Sequence, residues 1–264
     1  TYTNNLTDSH NFYLENKTLN LKNNVNIKNE YTYYYNFIQL IYNNPFIYCI
    51  LFTFICDSCL KTLFGKNARW FQLHSLINAV VTKNIMYDVV KIYLNPKNGF
   101  KLLENHINSY YILTLHVYHL LTFKNLTYID YFHHILFVGL GVLPVIFYIN
   151  SNQIYLGYIA CNGIPGIIEY GTLALYKNNK ITLYKQKCIC SMLYIYLRLP
   201  LCIMGIVYNY LGYMYNYYSD NVYLTFYINA LLYFNGTFFT HLTLQSFYRV
   251  KSVSYTHLTL PTTK

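Results

Sequence analysis

Seven apolar windows separated by short polar links run along the chain: Phe37 to Phe64, Trp70 to Val90, Ile107 to Phe123, Tyr128 to Ile149, Ile154 to Tyr176, Cys188 to Tyr213 and Val222 to Phe247. A helix that crosses a bilayer needs about 20 mainly apolar residues, and these windows match that length far better than they match strands. The pattern predicts an all-α, multi-pass transmembrane helical bundle of six to seven spans. Pro45 is expected to break the long first window into an interfacial piece and a crossing helix, and "GIPG" at 163–166 to kink the fifth. Residues 1–36 are polar, Asn-rich and without period, and read as a flexible N-terminal arm; residues 37–251 read as one transmembrane domain. The stretch "VSYTHLTLPT" resembles an in-frame translation of a sequencing adaptor, so 252–264 is set apart as an artefact tail. With no initiator Met, Thr1 is expected to begin a fragment.

Composition agrees with the pattern, since 55% of the 264 residues are hydrophobic, 20% aromatic and only 11% charged. The net charge of +10 points to no nucleic-acid partner, because the Lys and Arg fall in blocks between apolar windows, where membrane topology accounts for them. Lys61, Lys66, Arg69, Lys124, Lys177, Lys180, Lys185, Lys187, Arg249 and Lys251 sort to one side of a seven-span topology, against Lys91, Lys97, Lys101 and three lysines of the N-terminal arm on the other. The richer side is expected to be cytosolic, with a lumenal N-terminus and a cytosolic C-terminus. Asn5 and Asn16 then lie in lumenal N-x-T sequons. Seven cysteines scattered through apolar windows do not suggest a disulfide framework, and Cys56 and Cys59, a C-x-x-C within one window, read as small packing residues.

Against this background the titratable residues inside the windows stand out. Asp130, His133 and His134 fall at i, i+3 and i+4, and His116 and His119 share a face by the same rule. His74 lies in a polar stripe with Ser75, Asn78 and Thr82; Asn162 and Glu169 flank Pro165. At about 1.5 Å per residue, His74, His116, His119, Asp130, His133, His134, Glu169 and His241 all lie roughly 8–15 Å from the basic face. Charges facing lipid are costly, so these groups are expected to turn inward and line a polar cavity. His106, Arg198 and His241, each taken singly, read as structural or interfacial.

A carboxylate bonded to one imidazole can leave a neighbouring imidazole free to take a proton from an amine or hydroxyl. Asp130, His133 and His134 are therefore the candidate catalytic residues, with His74, Asn78, His116, His119, Asn162 and Glu169 as candidate cavity and substrate-binding residues. No metal is assigned: His116, His119, His133 and His134 are fewer ligands than the repeated H-x-x-H-H runs of membrane di-iron oxygenases, which leaves metal-dependent lipid oxidation the weakest alternative.

The segments "RWFQLHSLINAV" (69–80), "IDYFHHILFVGLG" (129–141) and "NGIPGIIEYGTLALYK" (162–177), in this order, resemble TLC-domain proteins, a superfamily that includes ceramide synthases and translocation-associated membrane proteins. The resemblance spans residues 69–247 and implies a helical bundle, usually in the endoplasmic reticulum, around a lipid-accessible cavity. In ceramide synthases an acidic residue and a double His serve N-acylation of a sphingoid base; the matching positions are Asp130, His133 and His134. Further Asp residues of that signature are absent, and Asn162 and Glu169 stand nearest to them, which points to an uncharacterised branch. The resemblance implies acyl transfer to a lipid amine or hydroxyl, with acyl-CoA as co-substrate, no resident cofactor, membrane lipids as partners and room for a homodimer. A lipid sensor, binder or transporter using the same groups is the non-enzymatic alternative.

Overall fold

The computed structural model describes residues 43–123, 126–218 and 221–259, with side chains to Ser252. The polar arm (1–36), the sequons, Lys124 and residues 260–264 of the adaptor-like tail lie outside the described residues. Thr1–Tyr48 and Cys49–Lys264 are separate compact units, and the packing below concerns the second.

Of the described residues 84% are helical and none forms a strand; Leu102 and Ser151 form a lone antiparallel bridge. The elements are α1 (Pro45–Phe64), α2 (Arg69–Leu94), a short α3 (Pro96–Gly99), α4 (Ile107–Thr122), α5 (Tyr128–His133), π1 (His134–Val142), α6 (Leu143–Tyr148), α7 (Ile154–Cys161), α8 (Ile164–Lys177), α9 (Leu183–Leu193), π2 (Tyr194–Arg198), α10 (Leu199–Met214) and α11 (Val222–Thr259). Pro45 begins α1: it stands at the first helical position, where its missing N–H costs nothing, and Asn44 Oδ1 accepts from Ile47 N at 3.2 Å; the part of the first window before residue 43 lies outside the described residues. At the fifth window the expected kink is a full break between Cys161 and Ile164.

Prolines explain the two π-helical stretches. Pro144 and Pro200 each lack the N–H that would bond the carbonyl four residues back, and each follows a stretch of wide turns. Behind Pro144 the carbonyl so released, Leu140 O, accepts from Tyr227 Oη at 3.0 Å. Thus α5–π1–α6 and α9–π2–α10 each run as one continuous but widened rod.

Three helical rods are long and apolar enough to cross a membrane: Pro45–Phe64, Tyr128–Tyr148 and Leu183–Met214. They are also weakly covered by protein, with 17%, 28% and 39% of their most apolar windows buried. The helix α2 is the opposite case, more polar but with Leu73, Ile77, Val81, Ile85 and Ile92 fully buried. Lipid tails are as apolar as Leu, so greasy helices can stand outside, while polar helices must find protein partners.

Those partners are specific. The helices α2 and α8 run antiparallel, with Phe71 beside Tyr170 (6.3 Å between ring centroids) and Ser75 Oγ donating to Ile167 O at 3.0 Å. Gly166 permits the approach, since a Cβ there would lie 2.5 Å from Asn78 Nδ2. Asp57 of α1 is buried and holds both Arg69 Nε (2.8 Å) and Tyr118 Oη (2.6 Å), which ties α1, α2 and α4 together. Tyr184 lies 6.1 Å from Phe247, bringing the basic 177–187 link beside Arg249 and Lys251; the antiparallel α2–α8 pair puts Arg69 at the same end as Lys177. Away from that end, Lys101 Nζ pairs with Asp88 Oδ1 at 2.8 Å, and this hydrogen bond raises the Lys101 ammonium above its usual range.

Candidate functional site

A cavity of about 200 Å³ opens among α2, α4, α5, π1, α6, α7, α8, π2 and α11. One part is polar, formed by His74, His116, Asp130, His133, Asn162, Glu169, Tyr194, Arg198 and Asn235; the other is apolar, formed largely by Phe137, Val138, Val142, Val145, Leu231 and Leu232. Such a shape accepts a ligand with a polar end and a hydrocarbon end.

Five imidazoles meet at its edge. His116 lies 5.2 Å from His74, 5.3 Å from His133 and 5.2 Å from His134, and His119 lies 5.1 Å from His134, all between ring centroids. Aromatic rings fix two of them: Trp70 stacks on His119 at 3.5 Å and Tyr170 on His74 at 3.7 Å. Buried nitrogen atoms need partners, and here each ring is paired.

The tautomers follow from those pairings. His116 Nδ1 lies 2.7 Å from Ile112 O, a carbonyl that only accepts, so Nδ1 carries the proton and Nε2 presents a lone pair. His133 Nε2, 3.2 Å from that lone pair, must then be the donor, which leaves His133 Nδ1 unprotonated. By the same logic His134 Nδ1 donates to Asp130 O at 2.5 Å, its Nε2 accepts from His119 Nδ1 at 3.3 Å, and His119 Nε2 is left with the lone pair. Asn78 Nδ2 donates to His74 Nδ1 at 3.2 Å, so His74 offers Nε2–H. Two main-chain carbonyls, each one helical turn back, thus set four ring orientations.

The expected contact between the Asp130 carboxylate and a histidine is not the one found. Asp130 Oδ2 accepts from Thr127 N and Oγ1, both at 2.7 Å, closing a capping box at the start of α5, and it is the Asp130 main-chain carbonyl that holds His134. The acidic residue at helix position N3 serves its own helix terminus first. Asp130 still lines the cavity, as do His74, His116, His133, Asn162 and Glu169; His134, His119 and Asn78 stand behind that lining, bonded to residues nearer the cavity or to one another. His241, placed at the same depth from the sequence, is exposed and pairs with Gln245 Nε2 at 2.8 Å, outside this cluster.

Opposite the imidazoles stands a group that spacing alone did not single out. Arg198, 5% exposed, donates from Nη1 to Tyr194 Oη (2.8 Å) and approaches Glu169 Oε2 (3.5 Å); its Nη2 donates to Asn235 Oδ1 at 2.7 Å. Tyr194 Oη in turn donates to Glu169 Oε2 at 2.6 Å. The guanidinium plane lies 4.7 Å from the Tyr194 ring and 5.5 Å from that of Phe239. Arg198 is therefore a cavity residue rather than an interfacial one. Its sequence signal was Pro200, two residues on, which widens the helix at Tyr194–Arg198 and aims both residues inward.

Among the described residues, no group of three or more His, Cys, Asp or Glu is arranged to hold a metal ion. No family model, curated protein or solved structure matches the chain.

Proposed function

We propose that the chain is an integral membrane protein of the endoplasmic reticulum, built as a TLC-type bundle of six to seven spans, that transfers an acyl group to a lipid amine or hydroxyl. The observation that carries the reading is His133: it lines an amphipathic cavity, with Nδ1 left as a lone pair by the chain from Ile112 O through His116. A fixed neutral imidazole is the group a nucleophile needs for deprotonation, and general-base assistance contributes about 10²–10⁴ in rate.

In the proposed step the amine or hydroxyl attacks the carbonyl carbon of an acyl thioester such as acyl-CoA. The new C–N or C–O bond forms while the C–S bond breaks; the nucleophile's proton passes to His133 Nδ1 and from there to the departing thiolate. His116 is a positioning residue, since it holds the far side of the His133 ring. Between His133 and His134, the cavity favours His133 as the base.

The three apolar rods and the gathering of Arg69, Lys177, Arg249 and Lys251 at one end support membrane insertion with that end cytosolic and the N-terminus lumenal. Buried polar α2 and α4 fit spans shielded by their neighbours. The test is transfer of radiolabelled palmitoyl groups from palmitoyl-CoA to endogenous lipids in membranes carrying the wild-type chain or His133→Ala. A labelled lipid present with wild type and absent with the variant supports the reading. Equal products from both chains and from empty membranes end it in favour of a non-enzymatic lipid binder, a role the paired polar wall also suits.

A further inference from the structure

The imidazole wall leaves the opposite, arginine-bearing wall without a role. Arg198 is held by Tyr194, Glu169 and Asn235, and its guanidinium carbon lies over the Tyr194 and Phe239 rings, so its orientation is set before any ligand arrives. Its Nε is buried and pairs with no protein atom. A guanidinium is always charged and keeps its five N–H donors in a rigid fork, so a buried unpaired N–H is a donor waiting for an acceptor.

Three features narrow that acceptor. Glu169 cancels the charge of Arg198, so the wall is nearly neutral overall and does not suit a multiply charged phosphate; a carbonyl oxygen or a single carboxylate fits it. The remainder of the cavity is hydrocarbon, formed by Phe137, Val138, Val142 and Leu231, which suits an alkyl chain joined to that oxygen. Finally, Arg198 and His133 face the same ring: Phe239 lies 5.5 Å from the Arg198 guanidinium carbon and 5.8 Å from the His133 ring centroid.

We propose that Arg198 is the anchor for the acyl carbonyl oxygen of a long-chain acyl ligand, whether thioester or free carboxylate, with the proximal carbons of its chain along the Phe137–Leu231 side. The cavity volume of about 200 Å³ is below the ~300–1,000 Å³ that encloses a drug-sized molecule, so only the head and the first part of the chain are held and the remainder extends toward lipid. The assignment rests on the acyl-transfer reading for the purpose of the site, although binding can be measured without turnover. In the transfer step the cavity-lining Arg198 guanidinium would stand near the oxygen on which negative charge develops, with His133 near the same Phe239 ring.

The experiment measures binding of tritiated palmitate and palmitoyl-CoA to the purified full chain in nanodiscs, with unlabelled palmitate, hexadecanol and hexadecylamine as competitors. Arg198→Lys keeps a cation beside Glu169 but removes the fork, and is expected to weaken both carbonyl probes at least tenfold while competition by hexadecanol is unchanged. Arg198→Gln, with hexadecanol competition as its folding control, is expected to do the same. Lys101→Met, away from the cavity, is expected to bind like wild type. The proposal is overturned if wild type binds neither probe, if both Arg198 variants bind palmitate like wild type, or if hexadecylamine displaces label better than palmitate does. Arg198-dependent binding in a protein that never transfers acyl groups keeps the anchor and removes the enzyme; wild-type transfer with kcat and KM untouched by Arg198→Lys does the reverse.

Discussion

On one side of the cavity, imidazoles are oriented by carbonyls of their own helices; on the other, one guanidinium is oriented by side chains from three different elements. His116 and His134 each reach back four residues, to Ile112 O and Asp130 O, and then fix His133 and His119. Arg198 depends on Tyr194 from its own rod, Glu169 from α8 and Asn235 from α11. The first arrangement is anchored locally, at two carbonyls one turn back, and passes across α4 and α5–π1 through the His116–His133 and His119–His134 pairs. The second is shared between helices, and removing one partner leaves a charge buried.

That contrast can be broken experimentally, and the largest effect is expected from the imidazole wall on chemistry. His133→Ala should lower acyl transfer by about 10²–10⁴ while the protein stays folded, because the hydrogen bond lost is the one to His116; transfer within threefold of wild type would remove His133 from the role of base. The arginine wall should show the reverse balance. Glu169→Ala strands the Arg198 guanidinium and is expected to destabilise the protein by about 3–5 kcal/mol, the range for breaking a buried pair on one side. Thermal unfolding in detergent checks this. Replacing both members, Glu169→Leu with Arg198→Met, should recover most of the loss, and a double variant as unstable as the single one would show that charge burial is not the cause.

A smaller effect is expected at His134, which stands behind the cavity lining. His134→Ala leaves His119 Nδ1 without its acceptor and should cost about 1–2 kcal/mol in stability, with transfer reduced less than by His133→Ala. Equal loss of transfer from the two variants would contradict the division of labour between the neighbouring rings. Lys101→Met is the control away from both walls. Its side chain is 55% exposed, so the pair with Asp88 should contribute under about 1 kcal/mol despite its 2.8 Å distance. A drop in melting temperature as large as that from Glu169→Ala would mean that solvent-exposed pairs here carry more than their usual weight.

The difference between the walls also explains what could be read from the chain beforehand. Histidines at i, i+3 and i+4 inside apolar windows are visible because the period alone puts them on one face, and the structure does bring His74, His116, His119, His133 and His134 together. Asp130 was visible too, but its partner was not: a Thr three residues earlier offers a capping box, and that local bond took the carboxylate away from the imidazoles. His241 shared the depth of the cluster but not its direction, since counting residues fixes height along a helix and not the face that turns inward. Tyr194 and Tyr170 were hidden among 34 tyrosines, and Asn235 carried no pattern.

What the sequence by itself determined is the all-helical character and the apolar segments that point to a membrane, because length, period and proline position act within a single segment. Even the widened turns before Pro144 and Pro200 belong to that level, since a missing N–H is a local fact. The tertiary structure alone decided which imidazole faces the cavity, which tautomer it holds, and that Arg198 stands opposite. Those outcomes depend on where separate helices touch and rotate, and no spacing within one helix encodes the rotation of its neighbour.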